Sequence, residues 1–123
     1  MKLVGNYKEL VSSIDDFDLS MLTLPETRQF QSCNILEFEP GKIDYTHLDV
    51  FLSATVNPIK YVMFLTDWEL GHIFMYDENM LSDYSKGDLY QLENDPSITY
   101  CCANIGYSTS NILEIKLCDG DRA

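Results

Sequence analysis

Basic residues are scarce in this chain. Its 123 residues include 8 Lys+Arg against 20 Asp+Glu, a net charge of −12. Phosphate contacts need Lys and Arg, so the balance argues against direct nucleic-acid binding and against docking on anionic lipid. Long apolar runs are lacking too. No stretch approaches the ~18 apolar residues of a membrane helix, and the start, Met1-Lys2-Leu3-Val4-Gly5-Asn6, has no signal-peptide core. The 6 glycines are scattered, none in a GxGxxG or P-loop pattern. The four cysteines, Cys33, Cys101, Cys102 and Cys118, contain no CxxC, and adjacent strand residues such as Cys101 and Cys102 face opposite ways. They read as free thiols of a cytoplasmic protein.

What is present is a core. Hydrophobic residues make up 46%, with 8 Tyr and 6 Phe. A disordered acidic tail is excluded, and the length suits one domain spanning 1–123. Asn6, Glu9, Leu10, Val11 and Ile14 predict a short helix over 6–14 with Asn6 as cap. Strand-like alternation follows at Phe17, Leu19 and Met21, and again over 33–39. Glu39-Pro40-Gly41-Lys42 predicts a turn. Residues 43–56 alternate as a strand, closed by Asn57-Pro58. Tyr61–Leu65 and Ile73–Tyr76 are apolar on both faces, which places them mid-sheet. The short link from Thr66 to Gly71 predicts that they form a hairpin. Residues 98–105 and 111–117 give two more strands, joined by a hairpin loop over 106–110. In the last strand Leu113, Ile115 and Leu117 point inward and Glu114 and Lys116 outward. The fold expected is α+β and strand-dominated. It has about seven mostly antiparallel strands in a twisted sheet or small sandwich, with one or two short helices.

Chemical motifs are thin. No zinc-ligand spacing links the cysteines with His47 and His72, and Asp77 does not start an EF-hand, since Ser82 and Asp88 stand where glycine and glutamate are needed. No metal, cofactor or catalytic residue is therefore assigned. His47 and Asp49, with Cys33, Cys101 or Ser53, supply parts of a triad that spacing cannot test. His72, between Leu70 and Phe74, reads as a core histidine.

The location of charge is the strongest signal. Asp67, Glu69, Asp77, Glu78, Asp83, Asp88, Glu93 and Asp95 face Lys86 alone, so 67–95 holds −7 of the −12. Trp68, Tyr76, Tyr84 and Tyr90 are interleaved with them. A second acidic cluster is Glu9, Asp15, Asp16 and Asp18. Charge at that density steers a basic partner, and Tyr and Trp supply anchors. These twelve residues of 67–95 form the expected partner-binding face. The function expected is a non-enzymatic acidic inhibitor, an immunity protein that occludes the cationic cleft of a toxin, most simply a nuclease. Alternatives are a phage-type DNA mimic that blocks a host defence protein, a small enzyme using His47 or a cysteine, and an oligomeric assembly or adaptor protein. No membrane or direct nucleic-acid contact is expected, and the chain is expected as a monomer or weak homodimer.

Overall fold

A computed structural model describes residues 1–11, 18–48, 55–93 and 99–121. Among these, nine strands form two antiparallel sheets. The strands are β1 (Lys2–Asn6), β2 (Phe30–Phe38), β3 (Ile43–Leu48), β4 (Ile59–Phe64), β5 (His72–Tyr76), β6 (Asn79–Leu81), β7 (Asp88–Gln91), β8 (Thr99–Asn104) and β9 (Ser110–Cys118). One sheet runs β1-β7-β4-β9-β2 and the other β3-β8-β5-β6. The strand-rich expectation is thus met, with nine strands in place of about seven.

Two cores follow from the alternation along β4. Tyr61 and Met63 face one way, with Leu89, Leu113, Ile115 and Leu117, beneath a cover that includes Val11 and Leu22. Val62 and Phe64 face the other way, onto Phe74, Tyr76, Tyr100 and Cys102 of the second sheet. The cover is pinned by two tyrosines. Tyr61 Oη donates to the carbonyl of Glu26 at 2.8 Å and accepts its N–H at 3.1 Å, while Tyr7 Oη accepts the Thr23 N–H at 2.9 Å.

Several local expectations hold and several change. The helix is α1 (Lys8–Val11), capped by Asn6 Oδ1 on the Lys8 N–H at 3.1 Å. Ile14 lies outside the described residues. Leu19–Met21 is a 3-10 turn rather than strand, because the Asp18 carboxylate accepts the Ser20 N–H and caps it. Glu39–Lys42 closes as a turn, with Gly41 at φ 93. β4 and β5 do not pair as a hairpin, nor do β8 and β9. In both cases the connection carries the chain from one sheet to the other. A short loop bridges two facing sheets as readily as two neighbouring strands, so length could not distinguish them. Of the strand read over 43–56, β3 keeps Ile43–Leu48, and Thr55 makes an isolated bridge to Asp121. Asp49, Phe51 and Ser53 lie outside the described residues.

Loops lock together at one end of the sandwich. The Ile105 N–H bonds to the Gly71 carbonyl at 2.9 Å, and Asn104 Nδ2 bonds to the carbonyls of Phe38 and Ser108. Gly71 sits at φ 98, and a Cβ there would lie 2.4 Å from the Gly106 backbone. Only glycine lets these two loops approach so closely.

Candidate active site

The polar centre of the molecule lies between the sheets. In the β4–β9 ladder Lys60 pairs with Lys116 and Val62 with Glu114, so all four side chains project toward the second sheet. Tyr100 reaches them from β8. Lys60 Nζ donates to Tyr100 Oη at 2.5 Å and lies 2.9 Å from Glu114 Oε2. Tyr100 Oη donates to the same Oε2 at 2.8 Å. Lys116 Nζ approaches the other oxygen, Oε1, at 3.2 Å. The side chains of Lys60 and Glu114 are 1% and 8% exposed, whereas that of Lys116 is 30% exposed. The group therefore forms a chain of hydrogen bonds from a buried ammonium to a carboxylate whose far side meets a half-buried lysine.

Electrostatics fix the charge of this carboxylate. Burial pushes the Glu114 pKa up, but the charge of Lys60, hydrogen bonds from Lys60 and Tyr100, and the charge of Lys116 together hold it below the ordinary value. Glu114 was expected to point outward to solvent. The alternation was read correctly, but a second sheet covers the face that carries it, and Glu114 is 6% exposed. Lys60 was also overlooked. A lysine inside the apolar run Ile59-Lys60-Tyr61-Val62-Met63-Phe64 was the signal available, since an ionised side chain is fully buried only when paired.

A cleft of about 260 Å³ is lined by Tyr76, Asp77, Asn79, Met80, Leu81 and Glu93 along with Met1, and by none of the four residues of this group. Tyr76 stands opposite Tyr100 in the β5–β8 ladder. A larger open cleft of about 700 Å³, lined in part by Glu26, Arg28, Ile59 and Gln91, shares Met1 and Glu93 with the first.

A divalent metal does not suit the central group. Both oxygens of Glu114 already accept from cationic or hydroxyl donors. Among the described residues no three His, Cys, Asp or Glu side chains converge as ligands. His72, 2% exposed, is a core residue as expected. Its Nδ1 accepts the Glu69 N–H at 3.3 Å, and its Nε2 lies 2.9 Å from the Ser108 carbonyl. Those partners require the proton on Nε2, so His72 cannot act as a base toward Ser108 Oγ, 3.2 Å away. Cys102 is no nucleophile either. Burial, then the nearby Asp44, Cys101 and Glu114, push its thiol up to about 12. His47 lies opposite Tyr100 in the β3–β8 register.

The residues expected at a partner-binding face are largely engaged elsewhere. Tyr84 stacks on Phe64 at 3.7 Å, Tyr90 meets the same ring edge-on, and Tyr76 accepts the Glu93 N–H at 2.8 Å. Trp68 packs against this inner core and donates Nε1–H to the His72 carbonyl at 2.9 Å. Several acids hold turns. Asp67 accepts the Lys86 N–H, Asp88 accepts from Ser85 N–H and Asn6 Nδ2, and Glu69 accepts from Ser108 Oγ. Asp77 and Glu78 are the two central residues of the β5–β6 hairpin, at φ 48 and 66. Asp83 also has positive φ, at 58. Glu93 pairs with the amino group of Met1 at 3.3 Å. Asp95 lies outside the described residues. Among the described residues no helix is long and apolar enough to cross a membrane.

No family model matches the sequence, and no curated protein matches it. Solved structures do match in shape. The cupin domain of Schizosaccharomyces pombe Cnp3 gives a TM-score of 0.52 at 10% identity, over 80% of this chain and 61% of that one. A predicted oxalate decarboxylase from Thermotoga maritima gives 0.50 at 13% identity, over 70% and 64%. A cupin 2 conserved barrel domain protein from Salinispora arenicola gives 0.50 at 11% identity, over 79% and 71%. The chain spans less than two thirds of the length of the first two. This likeness overturns the expectation of an immunity protein, toxin inhibitor or DNA mimic, since the neighbours in shape are cupin-fold proteins. The non-enzymatic expectation is corrected with it: the fold neighbours include a protein described as a predicted oxalate decarboxylase. Two antiparallel sheets packed face to face are the shape this chain has in common with these cupin-fold structures.

Proposed function

We propose that the chain is a barrel enzyme that acts on a small organic acid by proton transfer, with Tyr100 and Glu114 as the relay. One observation carries this reading: the hydrogen-bonded chain Lys60–Tyr100–Glu114, ended by Lys116, inside an otherwise apolar core. Buried ion pairs are weak stabilisers, because desolvation offsets most of their Coulomb energy. A buried carboxylate perturbed by named charges and bonded to a tyrosine is a functional-site candidate, and its lowered pKa keeps it ionised to accept the Tyr100 proton. In this reading Tyr100 passes a proton between substrate and Glu114, Lys60 fixes both oxygens, and Lys116 attracts the substrate carboxylate. The cleft at Tyr76, whose strand pairs with that of Tyr100, measures about 260 Å³, below the ~300–1,000 Å³ usual for drug-sized ligands, which favours a substrate of few atoms. The neighbour described as a predicted oxalate decarboxylase is consistent with a small acid as substrate.

The test is a panel of small mono- and dicarboxylates, scored by melting temperature and by NMR for substrate deuterium exchange or loss of carbon dioxide. At least one acid should raise the melting temperature and turn over. Tyr100→Phe should remove turnover and keep binding, while Lys116→Met should weaken binding. Full turnover by Tyr100→Phe, or no response to any acid, overturns the proposal.

A further inference from the structure

The outer strand of the five-stranded sheet is built unlike a protected edge. Among the described residues β2 is paired on one side only, with β9 from Phe30↔Cys118 to Phe38↔Ser110. Nine residues at ~3.3 Å each make it roughly 30 Å long. Residues Phe30 to Cys33 and then Asn34 and Ile35 are all exposed, including Phe30 at 52% and Ile35 at 50%. Only the end of the strand joins a core, where Leu36 packs against the inner cluster and Phe38 is buried in it. Proteins normally blunt such an edge with Lys, Pro, a bulge or a short strand. β2 has none of these: its register with β9 is continuous over nine pairs.

Charge decides which occupant fits. The run Phe30-Gln31-Ser32-Cys33-Asn34-Ile35-Leu36 carries no charge, in a chain with 20 acids and a net −12. A basic partner would gain nothing from an uncharged strand. Two copies of this acidic chain, by contrast, repel least where neither carries charge. We infer that β2 pairs antiparallel with β2 of a second copy, about a two-fold axis at Cys33. This register sets Phe30 against Leu36 and Ser32 against Asn34 on the inner row, and Gln31 against Ile35 on the outer row. Beyond the run, Glu37 meets Gln29 and Glu39 meets Thr27, so no acid opposes an acid. The unpaired backbone groups of both edges gain partners, and the two five-stranded sheets become one. In β2, Ser32 lies opposite Lys116 and Asn34 opposite Glu114, so the joint borders the polar group without contributing to it.

Light scattering after size exclusion, at several concentrations, should give twice 14.1 kDa for the wild type. Ile35→Lys adds a charge at a half-exposed edge position, and should yield a monomer with unchanged circular dichroism. A short bismaleimide should bridge two chains through Cys33, with the product lost in Cys33→Ser. A wild-type monomer at all concentrations overturns the inference. So does a dimer that survives Ile35→Lys and is not bridged through Cys33.

Discussion

The two faces of the five-stranded sheet follow opposite rules. The face under α1, Leu19, Leu22 and Leu24 is closed with Tyr61, Met63, Leu89, Ile115 and Leu117, all fully buried. The face toward the second sheet interrupts an aromatic cluster with Lys60, Tyr100 and Glu114. Both faces are made by the same strands, β4 and β9, with alternate residues going to each. Stability alone would fill both with hydrocarbon, since burying charge is costly even when it is paired. In the proposed reading the outer face holds the sheet and the inner face carries the chemistry.

The largest effect should come from breaking the inner face by half. Lys60→Met leaves Glu114 buried without its closest cation and should cost about 3–5 kcal/mol of stability, measured by chemical denaturation. Adding Glu114→Leu to it should restore most of that loss while activity stays absent, because the pair is dispensable for folding. The outer face should respond by volume instead. Leu89→Ala leaves a cavity and should cost about 3 kcal/mol, while turnover per folded molecule is retained.

Tyr100→Phe comes next, at about 1–2 kcal/mol, since it removes one hydroxyl bonded to two charged groups. The smallest effect is on acid sensitivity. The Glu114 pKa is held below its ordinary value in the folded chain, so its ionisation stabilises the fold above that value. The stabilisation is lost as pH falls from the ordinary carboxylate value through the folded one. Melting temperature against pH should therefore fall more gently for Glu114→Gln than for wild type or Leu89→Ala. Equal slopes would place Glu114 outside the ionised network.

The alternation of β9 shows how much of this could be read in advance. Leu113, Ile115 and Leu117 were legible as one row and Glu114 and Lys116 as the other, as the pleat requires. That the second row is also covered depends on a sheet formed by β3, β8, β5 and β6, which no local pattern announces. Tyr76, Tyr84 and Trp68 misled for the converse reason. Their acidic neighbours lie in turns, at Asp77–Glu78, Asp83 and Asp67, while the rings themselves reach the core. A residue's neighbours in sequence can be solvated while it is buried, because a turn changes direction within two residues.

The sequence by itself determined the strand-rich character, the Asn6 cap, the Glu39–Lys42 turn and the buried state of His72. Each depends on period or on local backbone chemistry, which are properties of short segments. Only the tertiary structure decided that β4 and β5 belong to different sheets and that Lys60, Tyr100 and Glu114 meet. These residues are up to 54 positions apart (114 − 60). Their encounter is fixed by which strands pair and which sheets face, a choice made by the packing of the whole chain.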